Sequence, residues 1–153
     1  MRALLILLFS LGLVAAAPAA DAVTGKIVKV LPFLLDLQGR DATSPSLFDR
    51  DAYQAHLREH TNDVSAIRFD VLWKAMKSPA EKIQIAVELR GIGAGGVPKL
   101  KTLEVDALPG KYRQWTEIPL AGEDYKNFGA VVAWRVTLWN GGRMLGEQKS
   151  FLW

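Results

Sequence analysis

The chain is expected to be mainly β, with about seven antiparallel strands stacked as a two-sheet sandwich and one short helix. Three observations lead there. Several segments alternate apolar and polar residues with period two, the mark of strands with one buried and one wet face. Asn140-Gly141-Gly142 joins two such segments and suits a tight hairpin, because Asn and Gly accept positive φ. Only residues 47–60 carry apolar residues at helical spacing.

Residues 1–20, MRALLILLFSLGLVAAAPAA, read as an export signal: a short positive start at Met1-Arg2, an apolar run from Ala3 to Val14, then small residues suited to a signal peptidase. The apolar run is shorter than the ~20 residues that span a bilayer. Cleavage after Ala17, Ala20 or Ala22 would leave a single domain, taken as residues 21–153, in the periplasm or outside the cell. No cysteine follows the apolar run, which excludes lipoprotein processing.

The first strand is expected at 26–37, KIVKVLPFLLDL. Pro32 cannot donate to a ladder and marks it as an edge strand or a strand with a break. Residues 39–46 read as a loop. The helix at 47–60 has start signals in Ser44-Pro45 and Asp49. Its wheel places Phe48, Ala52, Tyr53, His56, Leu57 and His60 on one face, and Arg50, Gln54 and Arg58 opposite. Residues 66–76 alternate with Ile67, Phe69, Val71, Trp73 and Ala75 inward, and residues 82–90 with Ile83, Ile85, Val87 and Leu89 inward. Shorter strands follow at 99–106 and at 111–119, the latter ended by Pro119. Residues 120–129 form a crossing turn or a single helical turn. Residues 130–140 are the strongest strand, with Val132, Trp134, Val136 and Leu138 on one face. Residues 143–153 return as the last strand, where Gly146 suggests a bulge.

Tyr125, the strand 130–140, the Asn140-Gly141-Gly142 turn and the strand 143–153 together resemble the closing part of an immunoglobulin-like or fibronectin-type sandwich. There a Tyr stands at the corner before the penultimate strand and a long hairpin closes the domain. The chain as a whole resembles exported bacterial proteins with such a sandwich. The resemblance implies fold only. The cysteine pair of antibody domains is absent, and the helix at 47–60 is foreign to a minimal domain of this type.

Composition narrows the function classes. Nineteen basic residues stand against sixteen acidic ones and no block of Lys or Arg occurs, which argues against a nucleic-acid partner. The absence of cysteine excludes thiol nucleophiles, thiolate metal sites and haem attachment through Cys. His56-Leu57-Arg58-Glu59-His60 resembles the His-x-x-Glu-His zinc motif of the inverted zincin peptidases. That resemblance implies a zinc hydrolase with Glu59 as base, but such enzymes need a further acidic ligand on a second long helix, and none is evident. Gly91-Ile92-Gly93-Ala94-Gly95-Gly96 matches a dinucleotide-binding string, yet Val97-Pro98 follows where a helix N-terminus is required, so it reads as a hairpin loop. Asp49-Arg50-Asp51 and Glu123-Asp124 lack the spacing of a calcium loop. Trp153, with alternating strands before it, raises an outer-membrane barrel.

The expectation is therefore a non-enzymatic, exported binding domain with no catalytic, cofactor or metal residues and no cofactor. Its partner is a protein or an envelope component, met through a sheet edge or the aromatic end of the closing hairpin. The alternative is a carbohydrate-binding module using Tyr112, Trp115, Trp139 and Trp153, since flat rings on a sandwich face can stack on sugars.

Overall fold

The computed structural model describes residues 23–76 and 82–153. The expected export signal lies outside them. Among the described residues the elements run β1 (Thr24–Asp36), α1 (Leu47–Glu59), β2 (Val64–Met76), β3 (Ile83–Ile92), β4 (Pro98–Ala107), β5 (Gln114–Ala121), α2 (Gly122–Phe128), β6 (Ala130–Asn140) and β7 (Arg143–Lys149). The strands form a three-stranded sheet, β1-β2-β5, and a four-stranded sheet, β4-β3-β6-β7, antiparallel throughout. The chain is mainly β, as expected. Neither sheet closes on itself, which overturns the barrel alternative, and Trp153 lies beyond the end of β7. Among the described residues no helix is long and apolar enough to cross a membrane.

The alternating strands supply the core. Phe69, Val71 and Trp73 of β2 meet Ile83, Ile85, Val87 and Leu89 of β3 and Val136 and Leu138 of β6, all essentially inaccessible to water. Each such side chain contributes about 1.5–3 kcal/mol by leaving water. The polar end of Trp73 is satisfied where its Nε1 donates to Thr116 Oγ1 at 2.8 Å.

Of the two readings of Pro32 the edge strand holds: β1 is unbroken and lies at the edge of its sheet. Leu34, two residues on, turns its N–H and C=O away from β2, so the Pro32 nitrogen also faces the free edge, where no donor is needed. Several elements depart from expectation, each for a local reason. Pro119 does not end β5, itself an edge strand; it pairs with Arg68 and the strand continues to Ala121. In β6 the register slips between Arg90↔Ala133 and Gly91↔Val131. Val132 is the extra residue of this bulge and is exposed, and Val131 takes the core-facing place expected of it. The expected crossing turn is the helix α2. It stops at Gly129, whose φ of 84° suits only glycine and whose added Cβ would stand 2.4 Å from the Ile92 carbonyl oxygen.

The bulge expected near Gly146 is present, with the register slipping between Leu138↔Gly146 and Trp139↔Met144. Gly146 is small for a further reason: a Cβ there would sit 3.2 Å from Lys26 Cα, where β7 passes close to β1. The last strand ends at Lys149, and Phe151 and Leu152 turn.

The largest correction concerns α1. Phe48, expected on the packing face, is 81% exposed, and His56 and His60 are exposed too. The helix instead buries Gln54 and Leu57. It covers the outer face of β1 and β2, where Phe33, Leu35, Leu57 and Ala66 are buried outside the main core. Gln54 turns inward because it serves backbone: its Oε1 accepts from Leu34 N–H at 2.8 Å, and its Nε2 donates to Leu34 C=O and Asp41 C=O. Arg50, also expected in solvent, stacks 4.8 Å over the Phe33 ring.

Candidate functional site

The covering by α1 is partial, and it divides the outer face of the three-stranded sheet in two. Register defines the rows across this face. Phe33, Arg68 and Pro119 form one row, and Leu31, Asp70 and Glu117 the next. Then come Lys29, Leu72 and Trp115, and finally Lys26 opposite Lys74. Trp73 pairs with Gln114, and continuing that register by one residue sets Arg113 beside Lys74. The first rows lie at the α1 end. The last two lie at the opposite end and form a patch that is bare among the described residues.

The carboxylates of this face are drawn to one residue. Arg68 donates to both oxygens of Asp70, at 2.7 and 3.0 Å, and stands 3.8 Å from Asp41 and from Glu117. Bonding to Asp70 raises the already high pKa of Arg68, so it stays charged. Among the described residues, Lys26, Lys29, Lys74 and Arg113 have no ion-pair partner. Lys26 and Lys74 are direct cross-strand neighbours of like charge, an arrangement that destabilises a sheet. They line a depression of about 300 Å³ together with Thr24, Gly25 and Met76. Trp115 stands one row away and is 51% exposed, an open aromatic ring among four cations.

The other aromatic candidates are placed differently. Trp139 lies on the outer face of the four-stranded sheet, half-buried, its Nε1 donating to Thr137 Oγ1 at 2.9 Å. Trp153 also reaches that sheet, where the guanidinium groups of Arg90 and Arg135 stand 4.1 and 5.0 Å from its ring centre. Its ring is already engaged. Arg135 is held in turn by Glu88, its Nε donating to Glu88 Oε2 at 2.6 Å. Tyr112 is exposed in the β4–β5 connection, with Lys111 Nζ 5.5 Å from its ring centre. The four rings are thus not one platform. Trp139 and Trp153 belong to the opposite sheet from Trp115.

The two histidines of the His-x-x-Glu-His string stack on each other, with ring centres 4.0 Å apart. His60 ends the helix, and its Nδ1 lies 2.9 Å from the His56 carbonyl oxygen. His56 Nε2 is 4.0 Å from Asp63. Among the described residues no group of three or more His, Asp or Glu is gathered to hold a metal. The glycine string is the β3–β4 hairpin, followed by β4 and not by a helix. Gly91 is required there by Phe128, whose Cε1 would lie 2.4 Å from an added Cβ. Asp49 accepts from Ser44 Oγ at 2.6 Å, while Glu123 and Asp124 pair with Lys126 and Lys101.

One polar centre is absent from the residues singled out above. Asp36 is 3% exposed. Its Oδ1 accepts from the N–H groups of Gln38 and Arg40, and its Oδ2 from Arg40 Nε and the Tyr53 hydroxyl, all at 2.8–2.9 Å. Burial alone would push this carboxyl up; the donors from Arg40, Tyr53 and Gln38 outweigh it and hold it down at about 2. The arrangement fastens the β1–α1 loop and α1 to the end of β1. A sequence signal does exist, an Asp closing a strand with a Gly three residues on, which is the grammar of a side-chain-capped turn.

A groove of about 760 Å³ opens at the α1 end of the sandwich, lined by residues that include Leu37, Val64, Tyr125 and Lys126. Tyr125 is half-buried, which pushes its hydroxyl pKa up, and Lys126 is tied to Glu123 at 3.0 Å. No reactive pair converges there.

With this geometry in hand, comparison with known proteins adds no relative: no family model, curated protein or solved structure matches the chain.

Proposed function

We propose that the protein is a non-enzymatic, exported binding domain whose ligand is an envelope component, recognised on the bare half of the three-stranded sheet. One observation carries this reading. Lys26 and Lys74 face each other with no carboxylate between them among the described residues, beside an open Trp115, while the rest of the same face is covered by α1 or neutralised around Arg68. A like-charge pair that weakens its own sheet is the kind of local conflict kept for binding.

The finer fold reading is an immunoglobulin-like or fibronectin-type sandwich. It is supported by the strand order. If β1 to β7 take the roles A, B, C, C′, E, F and G, the sheets read A-B-E and C′-C-F-G, with β4 on the sheet that variable-type domains extend by C′. Export rests on residues 1–20.

The test is co-sedimentation of the purified domain with envelope fractions of the source cell. Wild type is expected to pellet with them, and a Lys74→Gln/Trp115→Ala variant shown by circular dichroism to be folded is expected to stay in solution. Equal pelleting of the two would remove this face as the contact surface.

A further inference from the structure

Resting on that reading of the bare face, we infer that its ligand is a linear acidic polysaccharide, with carboxylates or sulfates at intervals along the chain. Three features select this class. First, Lys26 and Lys74 pair across β1 and β2, and Arg113 immediately precedes β5, one residue beyond the Trp73↔Gln114 pair, so that continuing the register adds it to the same row. Neighbouring strands lie about 4.8 Å apart, so the row offers positive charges at intervals of that order. A glycan bearing an acid on successive sugar rings spaces its charges over a similar length. Second, Trp115 occupies the adjacent row, between Leu72 and solvent, and Lys29 flanks Leu72 on the other side. A flat ring beside a cation row can stack on a sugar face while its neighbours neutralise the acid. Third, the surface is the open face of a sheet and not a closed cavity, which suits a polymer lying across it more than a small molecule. The cations come from residues 26, 29, 74 and 113, so the row exists only once the strands are paired.

An anionic lipid surface or an acidic protein would share the charge but not the need for a stacking ring beside the cation row. The patch would therefore discriminate within one polymer backbone, binding the acid form and not its neutral ester.

The experiment is affinity electrophoresis and calorimetry of the full domain with polygalacturonate and with the same polymer fully methyl-esterified. Phosphatidylglycerol vesicles and double-stranded DNA serve as competing polyanions. Binding to the acid polymer is expected at low salt, falling steeply as salt rises, with none to the ester. Trp115→Ala, and separately Lys26→Gln/Lys74→Gln, should each weaken it at least tenfold, whereas Trp139→Ala should leave it unchanged. No binding to polygalacturonate, equal binding of acid and ester, or tighter binding of vesicles or DNA would each overturn the ligand class. If that other binding still falls with the Trp115 and lysine variants, the face stands and only the polysaccharide is wrong. Binding of any probe that ignores these substitutions would overturn the face as well. Melting curves and circular dichroism of each variant separate lost binding from lost folding.

Discussion

The two halves of the outer face of the three-stranded sheet share the same strands but handle charge in opposite ways. At the α1 end, Asp36 accepts four hydrogen bonds, Gln54 satisfies three backbone groups, and Arg68 gathers Asp70, Asp41 and Glu117. At the other end Lys26, Lys29, Lys74 and Arg113 have no carboxylate among the described residues, and Trp115 is uncovered. The first half behaves as a stability device. The second retains repulsion that folding alone would remove. Substitutions in the first half should therefore lower stability and spare binding, and substitutions in the second should lose binding without lowering stability.

The strongest test of that contrast is Asp36→Asn. Losing the charge at a buried centre with four donors should cost about 2–3 kcal/mol in urea unfolding, with polysaccharide binding unchanged at temperatures where the variant is folded. A loss of binding without a loss of stability would erase the distinction. Gln54→Ala comes next. It strips the partners from the Leu34 N–H and C=O and should cost about 1–2 kcal/mol. An unchanged unfolding midpoint would show that water replaces the amide without cost.

Acid titration sharpens the same point. The Asp36 carboxyl sits at about 2 in the folded chain against 3.8 for the free group. Its contribution is complete above the unfolded value and is lost as pH falls from about 4 through about 2. Wild type should lose stability over that window, and Asp36→Asn should show a shallower decline. Parallel curves would assign the acid sensitivity to other carboxylates.

The smallest effect is the most pointed. Lys74→Glu converts a repelling cross-strand pair into an attracting one, and should raise stability by about 0.2–1 kcal/mol while abolishing polyanion binding. A Lys74→Glu domain that is less stable than wild type would mean that Lys26 and Lys74 do not repel, and the argument from retained conflict would fail.

How far this division could be read from the chain depends on the kind of signal. Strands whose core-facing side chains follow period two, such as Ile83, Ile85, Val87 and Leu89, were legible because every second side chain enters one core. The turn at Gly141-Gly142 was legible because it needs a particular backbone, with φ of 54° at Gly141. The orientation of α1 was not, because a helical wheel ranks side chains by apolarity. Gln54 is inward for its hydrogen bonds and Arg50 for its stacking on Phe33. The Val132 bulge was hidden for a related reason: one extra residue exchanges Val132 for Val131 at the core without disturbing composition. Trp115 was a named candidate, but the cations around it were not, since Lys26, Lys74 and Arg113 become neighbours only through the pairing of three distant segments.

The hold of Gln54 on Leu34 has one more consequence. β1 carries Leu31, Phe33, Leu34 and Leu35 along an open border of the sheet, and at its apolar stretch that border is closed by a single carboxamide. Fraying of α1 would bare a hydrophobic ribbon with free donors and acceptors, the template on which chains polymerise. Concentrated solutions of a Gln54 variant should thus turn cloudy well before their circular dichroism changes, making the helix a guard on colloidal behaviour as much as a part of the fold.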